Sequence, residues 1–190
     1  MKLYKNKKGQ LIITQTGLDL VKHFEGCYLK AYNDRPDDPA HGTWTIGYGR
    51  INYADGRKVK PGDTCTQAQA DAWLMEDLED EGAKYVRAYM KNWMFLTDDQ
   101  FSAMVSFTFN RGAGRFNEQL DDILDEAVQD KVIDWKELAK VKKTVKSYDW
   151  AGKKTRKILA GLTRRRTAEA RLFAGEDWTV MKKKDWRKYV

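Results

Sequence analysis

A change of hydrophobic period constrains this chain most. Leu18, Val21 and Phe24 recur at helical spacing behind Thr16-Gly-Leu-Asp19, which has the form of a capping box, and predict a helix from about Leu18 to Gly26. From Tyr28 to about Val59 the pattern changes to Gly, Tyr, Trp and Thr, centred on Thr43-Trp44-Thr45-Ile46-Gly47-Tyr48-Gly49. Alternating β-formers broken by glycines predict a small twisted antiparallel sheet, with Asp55-Gly56 as a hairpin turn. Helical spacing then returns. Thr66-Gln-Ala-Gln69 opens a helix to about Met90, and Thr97-Asp-Asp-Gln100 opens an apolar helix through Phe101, Met104, Val105 and Phe109, ended by Gly112 and Gly114. Leu120, Ile123, Leu124 and Val128 mark another helix, Trp135, Leu138 and Val145 one more, and a last runs from about Thr163 to Phe173. Only three prolines occur, two of them (Pro36 and Pro39) in one loop, so long helices are permitted. The expected fold class is α+β and predominantly α, in a single domain over 1–190.

Seven Trp, nine Tyr and seven Phe supply a core that a disordered chain would lack. No apolar run approaches the ~18 residues of a membrane-spanning helix. The start, MKLYKNKKGQLII, falls short of the roughly 7–15-residue apolar centre of an export signal, so the chain is expected to stay in the compartment where it is made. Two cysteines, Cys27 and Cys65, are too few for a disulfide scaffold and are expected to be reduced. Charge is uneven: residues 140–190 hold 17 basic and 5 acidic residues, a net +12, whereas the first 139 carry −5. A basic end on a slightly acidic body suits an anionic partner (nucleic acid, anionic lipid or an acidic wall polymer) or simply a solvated helix surface.

The chemistry concentrates where helix gives way to sheet. Glu25 ends the first apolar helix beside Phe24, where partial desolvation would favour a protonated carboxyl suited to general acid work. Nine residues on, Asp34 opens a polar loop in which water and hydrogen bonds would keep it ionised. Two carboxyls in opposite environments across a cleft are the parts that hydrolyse a glycosidic bond; a surface Glu and a turn Asp are the structural alternative. Gly47 and Gly49 flank Tyr48 and let backbone approach a ligand, while Thr45 offers a hydroxyl to hold a water. Gly47-Tyr-Gly49 lacks the rest of a dinucleotide-binding pattern. His23 points to a different helix face from Glu25 and is expected to be a partly buried structural residue. Asp34, Asp37, Asp38 and His41 fit no standard metal loop, and neither cysteine has a His base, so no metal, cofactor or thiol nucleophile is expected.

Phe24-Glu25-Gly26, Ala31-Tyr32 and Trp44-Thr45-Ile46-Gly47-Tyr48-Gly49 together resemble the active-site signature of the phage-type (T4-like) lysozymes and endolysins of glycoside hydrolase family 24. Phe101 to Gly112, ending in Asn110-Arg-Gly112, resembles that family's central buried helix. Gly161-Leu162-x-Arg164-Arg165-Arg166-x-x-Glu169-x-x-Leu172-Phe173 resembles its C-terminal helix. The resemblance covers roughly residues 16–173, with three blocks in the family's order.

It implies a lysozyme-like fold: a small β lobe at about 27–60, a helical lobe from 16–26 and 61–173, the cleft between them, and a basic aromatic tail at 174–190. It implies a muramidase that hydrolyses the β-1,4 link between N-acetylmuramic acid and N-acetylglucosamine in peptidoglycan. Glu25 is then the general acid, Asp34 activates water and Thr45 positions it, with Gly47, Tyr48, Gly49, Phe109 and Asn110 along the substrate. An inverting outcome is implied, hence a carboxyl separation on the order of 6.5–9.5 Å. No cofactor, nucleic acid or stable membrane insertion follows. The implied protein is a monomeric endolysin that accumulates in the host cytoplasm and reaches the wall through a holin's openings. A lysozyme domain serving virion entry or a secretion system, a lytic transglycosylase, and a glycan- or nucleic-acid-binding protein without turnover are the rival readings.

Two departures stand out. Ten residues separate Asp34 from Thr45, about twice the family's usual spacing, and the extra Asp37 and Asp38 are alternative second carboxylates. The Gly-x-Gly strand runs into Arg50 where the family usually has His, which is expected to change an ion pair near the cleft. In the tail, Trp178, Trp186 and Tyr189 interleave with lysines and arginines and are expected to dock on the helical lobe rather than engage the anionic wall or a membrane surface.

Overall fold

The computed structural model describes residues 2–90, 93–112 and 160–180. Two strands open the chain, β1 (Leu3–Lys5) and β2 (Leu11–Thr14), paired antiparallel with Leu3 opposite Thr14 and Tyr4 opposite Ile13. Asn6 builds their turn, its side-chain oxygen accepting from Lys8 N and Gln10 N, each at 3.0 Å. This hairpin was not expected, and it moves the start of the first helix.

Helix α1 runs Gln15–Glu25, and its N-cap is Thr14 rather than Thr16. Thr14 Oγ1 accepts from Gly17 N at 3.1 Å and donates to Asp99 at 2.9 Å, so the cap also ties α1 to the central helix. Residue 17 lies in the crossing between them: a Cβ there would stand 2.6 Å from Ser102 Cβ and 2.9 Å from Ile13 Cγ1. At the other end Gly26, at φ 71°, turns the chain out of the helix into the sheet.

Strands β3 (Tyr28–Asn33) and β4 (Trp44–Gly47) form a second antiparallel pair, with Tyr32 opposite Thr45 and Asn33 opposite Trp44. Bridges from Ile46 to Arg50 and from Asn52 to Lys58 extend the lobe, and the latter closes over Asp55-Gly56 as expected. Ala31, Ile46 and Val59 make a small core of their own, walled by Trp44, Tyr53 and Trp73.

The helical part has its own, larger core. Helix α2 (Gln67–Leu78) continues through a π turn (Glu79–Ala83) into α3 (Lys84–Tyr89), the single long helix expected from Thr66 to Met90 with one widened turn. That turn seats Gly82 on the central helix, where a Cβ would come within 2.9 Å of Val105. Both expected capping boxes are formed, Thr66 with Gln69 and Thr97 with Gln100. Helix α4 (Asp98–Arg111) is buried continuously from Phe101 to Thr108, as a central helix must be, and Gly112 ends it. Helix α5 (Ala160–Phe173) packs on α4, and Leu172 and Phe173 join Leu20, Val21, Leu78, Val86 and Val105 in the core.

Trp178 is buried there too, in line with the docking expected of the tail's aromatics. It lies 5.5 Å, ring to ring, from His23, which is exposed rather than partly buried. The helices expected around Leu120–Val128 and Trp135–Val145, with Trp186 and Tyr189, lie outside the described residues.

Candidate active site

Glu25 stands at the C-terminal end of α1 because Gly26 stops the helix there. Its side chain is 23% exposed, and its Oε1 accepts a hydrogen bond from Arg165 Nη1 of α5. The surroundings are therefore not simply apolar, as the sequence suggested: a buried cation has come from 140 residues away.

Arg165 is only 3% exposed and is held on every side. Its Nε donates to Glu169 Oε1 at 3.1 Å, and its Nη2 donates to the Ser106 carbonyl at 3.3 Å. Ser106 Oγ donates to the same Glu169 oxygen at 2.7 Å. The guanidinium also lies 5.9 Å over the Phe24 ring. Glu169 holds a second cation as well. Arg166 Nη2 donates to Glu169 Oε1 at 3.1 Å and to Asn110 Oδ1 at 2.7 Å, and its guanidinium stacks 4.8 Å above Phe107. One polar chain thus runs beneath the site from Glu25 through Arg165, Glu169 and Arg166 to Asn110. Two arginines of the basic run are spent inside the protein.

Asp34 is placed by the end of β3. Its backbone N donates to Thr43 O at 3.1 Å, and its Oδ1 accepts from Thr43 N at 2.6 Å. That pair closes the long loop onto itself. Within the loop Asn33 accepts from Arg35 N at 2.8 Å and donates to Pro39 O at 3.2 Å, while His41 meets Asp38 at 2.9 Å. The extra residues therefore bulge outward as a self-bonded unit, and Asp34 and Thr43 remain neighbours at its neck. Asp37 and Asp38 lie exposed within it. Among the described residues no three His, Cys, Asp or Glu side chains gather as a metal-binding group.

Tyr32, on β3 between Glu25 and Asp34 in sequence, is half-buried. Burial, then the negative charge of Tyr28, Asp34 and Glu25, pushes its phenol above 10.0. Glu25 and Asp34 thus both lie within electrostatic reach of one hydroxyl. Thr45, across the strand pair from Tyr32, is buried and donates weakly to Thr43 O at 3.4 Å.

The remaining residues singled out from the sequence sit on two sides. Tyr48 turns toward α2: its hydroxyl donates to Asp71 at 3.1 Å and accepts from Gln67 at 3.0 Å. Lys22 Nζ pairs with the same aspartate at 2.9 Å and lies 5.5 Å over the Tyr48 ring. Burial would raise the Asp71 carboxyl, but hydrogen bonds from Lys22, Gln67 and Tyr48 outweigh it and hold it below 3.8. Gly47 packs on Ala70 of α2. Phe109 and Asn110 are half-buried at the end of α4, Asn110 bound to Arg166. Arg50 does take an ion pair, with Asp77 at 2.6 Å and Glu76 at 2.9 Å, while stacked on Trp73. The sequence reading did not assign Glu169, Ser106 or Arg165 a place at the site. The i, i+4 spacing of Arg165 and Glu169 was the available signal.

Comparison with known proteins identifies the family and the fold. A family model described as phage lysozyme matches residues 22–169. The chain is 39% identical over 100 residues to the endolysin of Lactococcus phage c2, covering 53% of this chain and 39% of that protein. To the endolysin of Salmonella phage P22 it is 32% identical over 136 residues, covering 67% and 86% respectively. The chain spans about two fifths of the length of the first curated relatives it matches. Among solved structures, an endolysin from Escherichia coli O157:H7 phage FAHEc1 aligns with a TM-score of 0.65 at 29% identity, covering 85% of this chain and 92% of that one. The muramidase domain of SpmX from Asticaccaulis excentricus aligns at 0.62 and 30%, covering 85% and 96%.

The fold is lysozyme-like, mostly helical with small antiparallel strand pairs, as the sequence implied. The chain belongs to the phage lysozyme family.

Proposed function

We propose that this protein is a muramidase that hydrolyses the β-1,4 bond between N-acetylmuramic acid and N-acetylglucosamine in peptidoglycan. The observation that supports the reading is Glu25 at the end of α1, its carboxylate bound by the buried Arg165, with Asp34 anchored on Thr43 just past β3. Glu25 gives its proton to the glycosidic oxygen as the bond breaks. The carboxylate left behind is met by the Arg165 guanidinium, so the negative charge develops against a fixed positive one. Asp34 takes a proton from water as that water attacks the anomeric carbon from the opposite face, and configuration inverts. Thr45 orients the water. Asp34 is favoured over Asp37 and Asp38 because it is anchored at the strand end, whereas Asp38 is engaged with His41 in the exposed loop.

The cell-wall role follows from the same reading. The protein acts as a monomeric endolysin on bacterial peptidoglycan, from the host cytoplasm and after a holin opens the membrane. No helix among the described residues is long and apolar enough to cross a membrane. Clearing of a suspension of purified walls tests the activity. Glu25→Gln should lower the rate by roughly 10²–10⁴-fold, the usual worth of a general acid. Clearing by Glu25→Gln at the rate of the unaltered protein would overturn the assignment.

A further inference from the structure

Tyr28 is an exposed aromatic beside Glu25 that the two hydrophobic clusters do not use. It lies three residues after Glu25 and is 53% exposed. Its ring nevertheless has a defined position. A Cβ built on Gly26 would meet Tyr28 Cε2 at 3.8 Å, so the ring rests over the backbone next to Glu25. The ring also lies 4.4 Å from that of Tyr32, centroid to centroid, inclined at 46°.

That proximity is unusual for the local chain. Residues four apart in a straight strand are separated by about 13 Å, at 3.2–3.4 Å per residue. The pairing of β3 with β4 slips between Tyr28 and Tyr32, and the strand bends there, folding the two rings together. The inner ring, Tyr32, is half-buried, opposite Thr45 in the strand pair. The outer ring keeps more than half its surface in water. An aromatic pair fixed beside a general acid, its outer member open, has the form of a ligand platform rather than of a core. The chemistry it fits is a pyranose ring, whose axial C–H bonds make an apolar face while its hydroxyls and acetamido group stay wet.

We propose that Tyr28 is a glycan-stacking residue, its ring receiving the C–H face of an N-acetylhexosamine beside the bond that Glu25 cleaves. This rests on the muramidase reading for the position of the scissile bond, but the stacking itself is measurable without turnover. The ring is the working part: it contributes binding at the sugar next to the cut, and the hydroxyl contributes little.

The test uses the full chain and N-acetylglucosamine oligomers as the probe, with affinity measured by calorimetry in a Glu25→Gln background. Adding Tyr28→Ala should weaken binding about threefold to tenfold, the worth of an aromatic face. Tyr28→Phe and Tyr28→Trp should bind as the parent does. Tyr28→Leu, which keeps cover over Gly26 without a π face, should bind like Tyr28→Ala, so that a strand disturbed by alanine is not mistaken for a lost platform. In the active protein the Tyr28→Ala loss should fall on KM for soluble peptidoglycan fragments. Unchanged affinity in Tyr28→Ala, or equal loss in Tyr28→Phe, would overturn the proposal. If the Glu25→Gln protein binds in a Tyr28-dependent way while the unaltered protein releases no products from walls, stacking stands and the muramidase reading fails. If the unaltered protein cleaves and Tyr28→Ala matches it in affinity and KM, the reverse holds.

Discussion

Glu169 is the residue on which the buried polar chain depends, and replacing it with alanine is the sharpest test of that chain. Three groups lose a partner at once: Arg165 Nε, Arg166 Nη2 and Ser106 Oγ all bond to Glu169 Oε1. Arg165 and Arg166 are 3% and 8% exposed, so water cannot replace what is removed. Removing one member of a buried ion pair typically costs about 3–5 kcal/mol, because it strands an uncompensated charge. Here two cations are affected, but each keeps a second partner, Glu25 for Arg165 and Asn110 for Arg166, so the same range applies. For a chain of this length each kcal/mol lowers the melting midpoint by roughly 2–4 °C, giving a fall of about 6–20 °C. Glu169→Gln keeps the shape and one acceptor and should cost less, about 1–3 kcal/mol. Urea denaturation with linear extrapolation reads both. A loss under about 1 kcal/mol for Glu169→Ala would refute the argument, since the arginines would then be held by something else.

Three other outcomes follow from particular contacts. The Tyr32 phenol should titrate above 10.0 by NMR of labelled tyrosine, and Asp34→Asn and Glu25→Gln should each bring it down; a value indifferent to both would mean the two carboxylates do not share a cleft. Asp71 is held below 3.8 when folded, so its contribution to stability is complete above the unfolded value and is lost as pH falls through the lower folded one. Denaturation below about pH 3.8 should therefore show a decline that Asp71→Asn lacks, and parallel curves would contradict the network. Gly17→Ala should destabilise by about 1–3 kcal/mol despite alanine's better helix propensity, because its methyl would overlap Ser102 and Ile13; a gain in melting temperature would show that the α1–α4 crossing can open.

What the sequence displayed was local. The capping boxes at Thr66 and Thr97 name their own partners within four residues, and both helices begin where those residues place them. Glycine and β-branched alternation likewise marked the β3–β4 lobe. The start of the first helix is hidden for the same reason: Thr16-Gly-Leu-Asp19 imitates a cap, while the true cap, Thr14, is also the last residue of a four-residue strand. Leu11-Ile-Ile-Thr14 carried the β-branched signal for that strand, but its partner is only three residues long and gave none. The order of Glu25, Asp34 and Thr45 along the chain was legible as a carboxylate pair beside a hydroxyl. Arg165 was not, because its contact with Glu25 spans 140 residues and depends on α5 crossing α4. The long loop looked like a threat to Asp34. Its internal bonds through Asn33, Asp38 and His41 leave Asp34 at the neck, and no spacing rule foretells that.

The most direct measurement is digestion of purified peptidoglycan by the unaltered protein, Glu25→Gln and Asp34→Asn, with the fragments read by mass spectrometry. Hydrolysis by an acid and a water-activating carboxylate predicts reducing muramic acid ends from the unaltered protein and almost none from either variant. Anhydro-muramic ends, or full activity in Asp34→Asn, would contradict it: the first removes water from the reaction, and the second removes Asp34 from the mechanism.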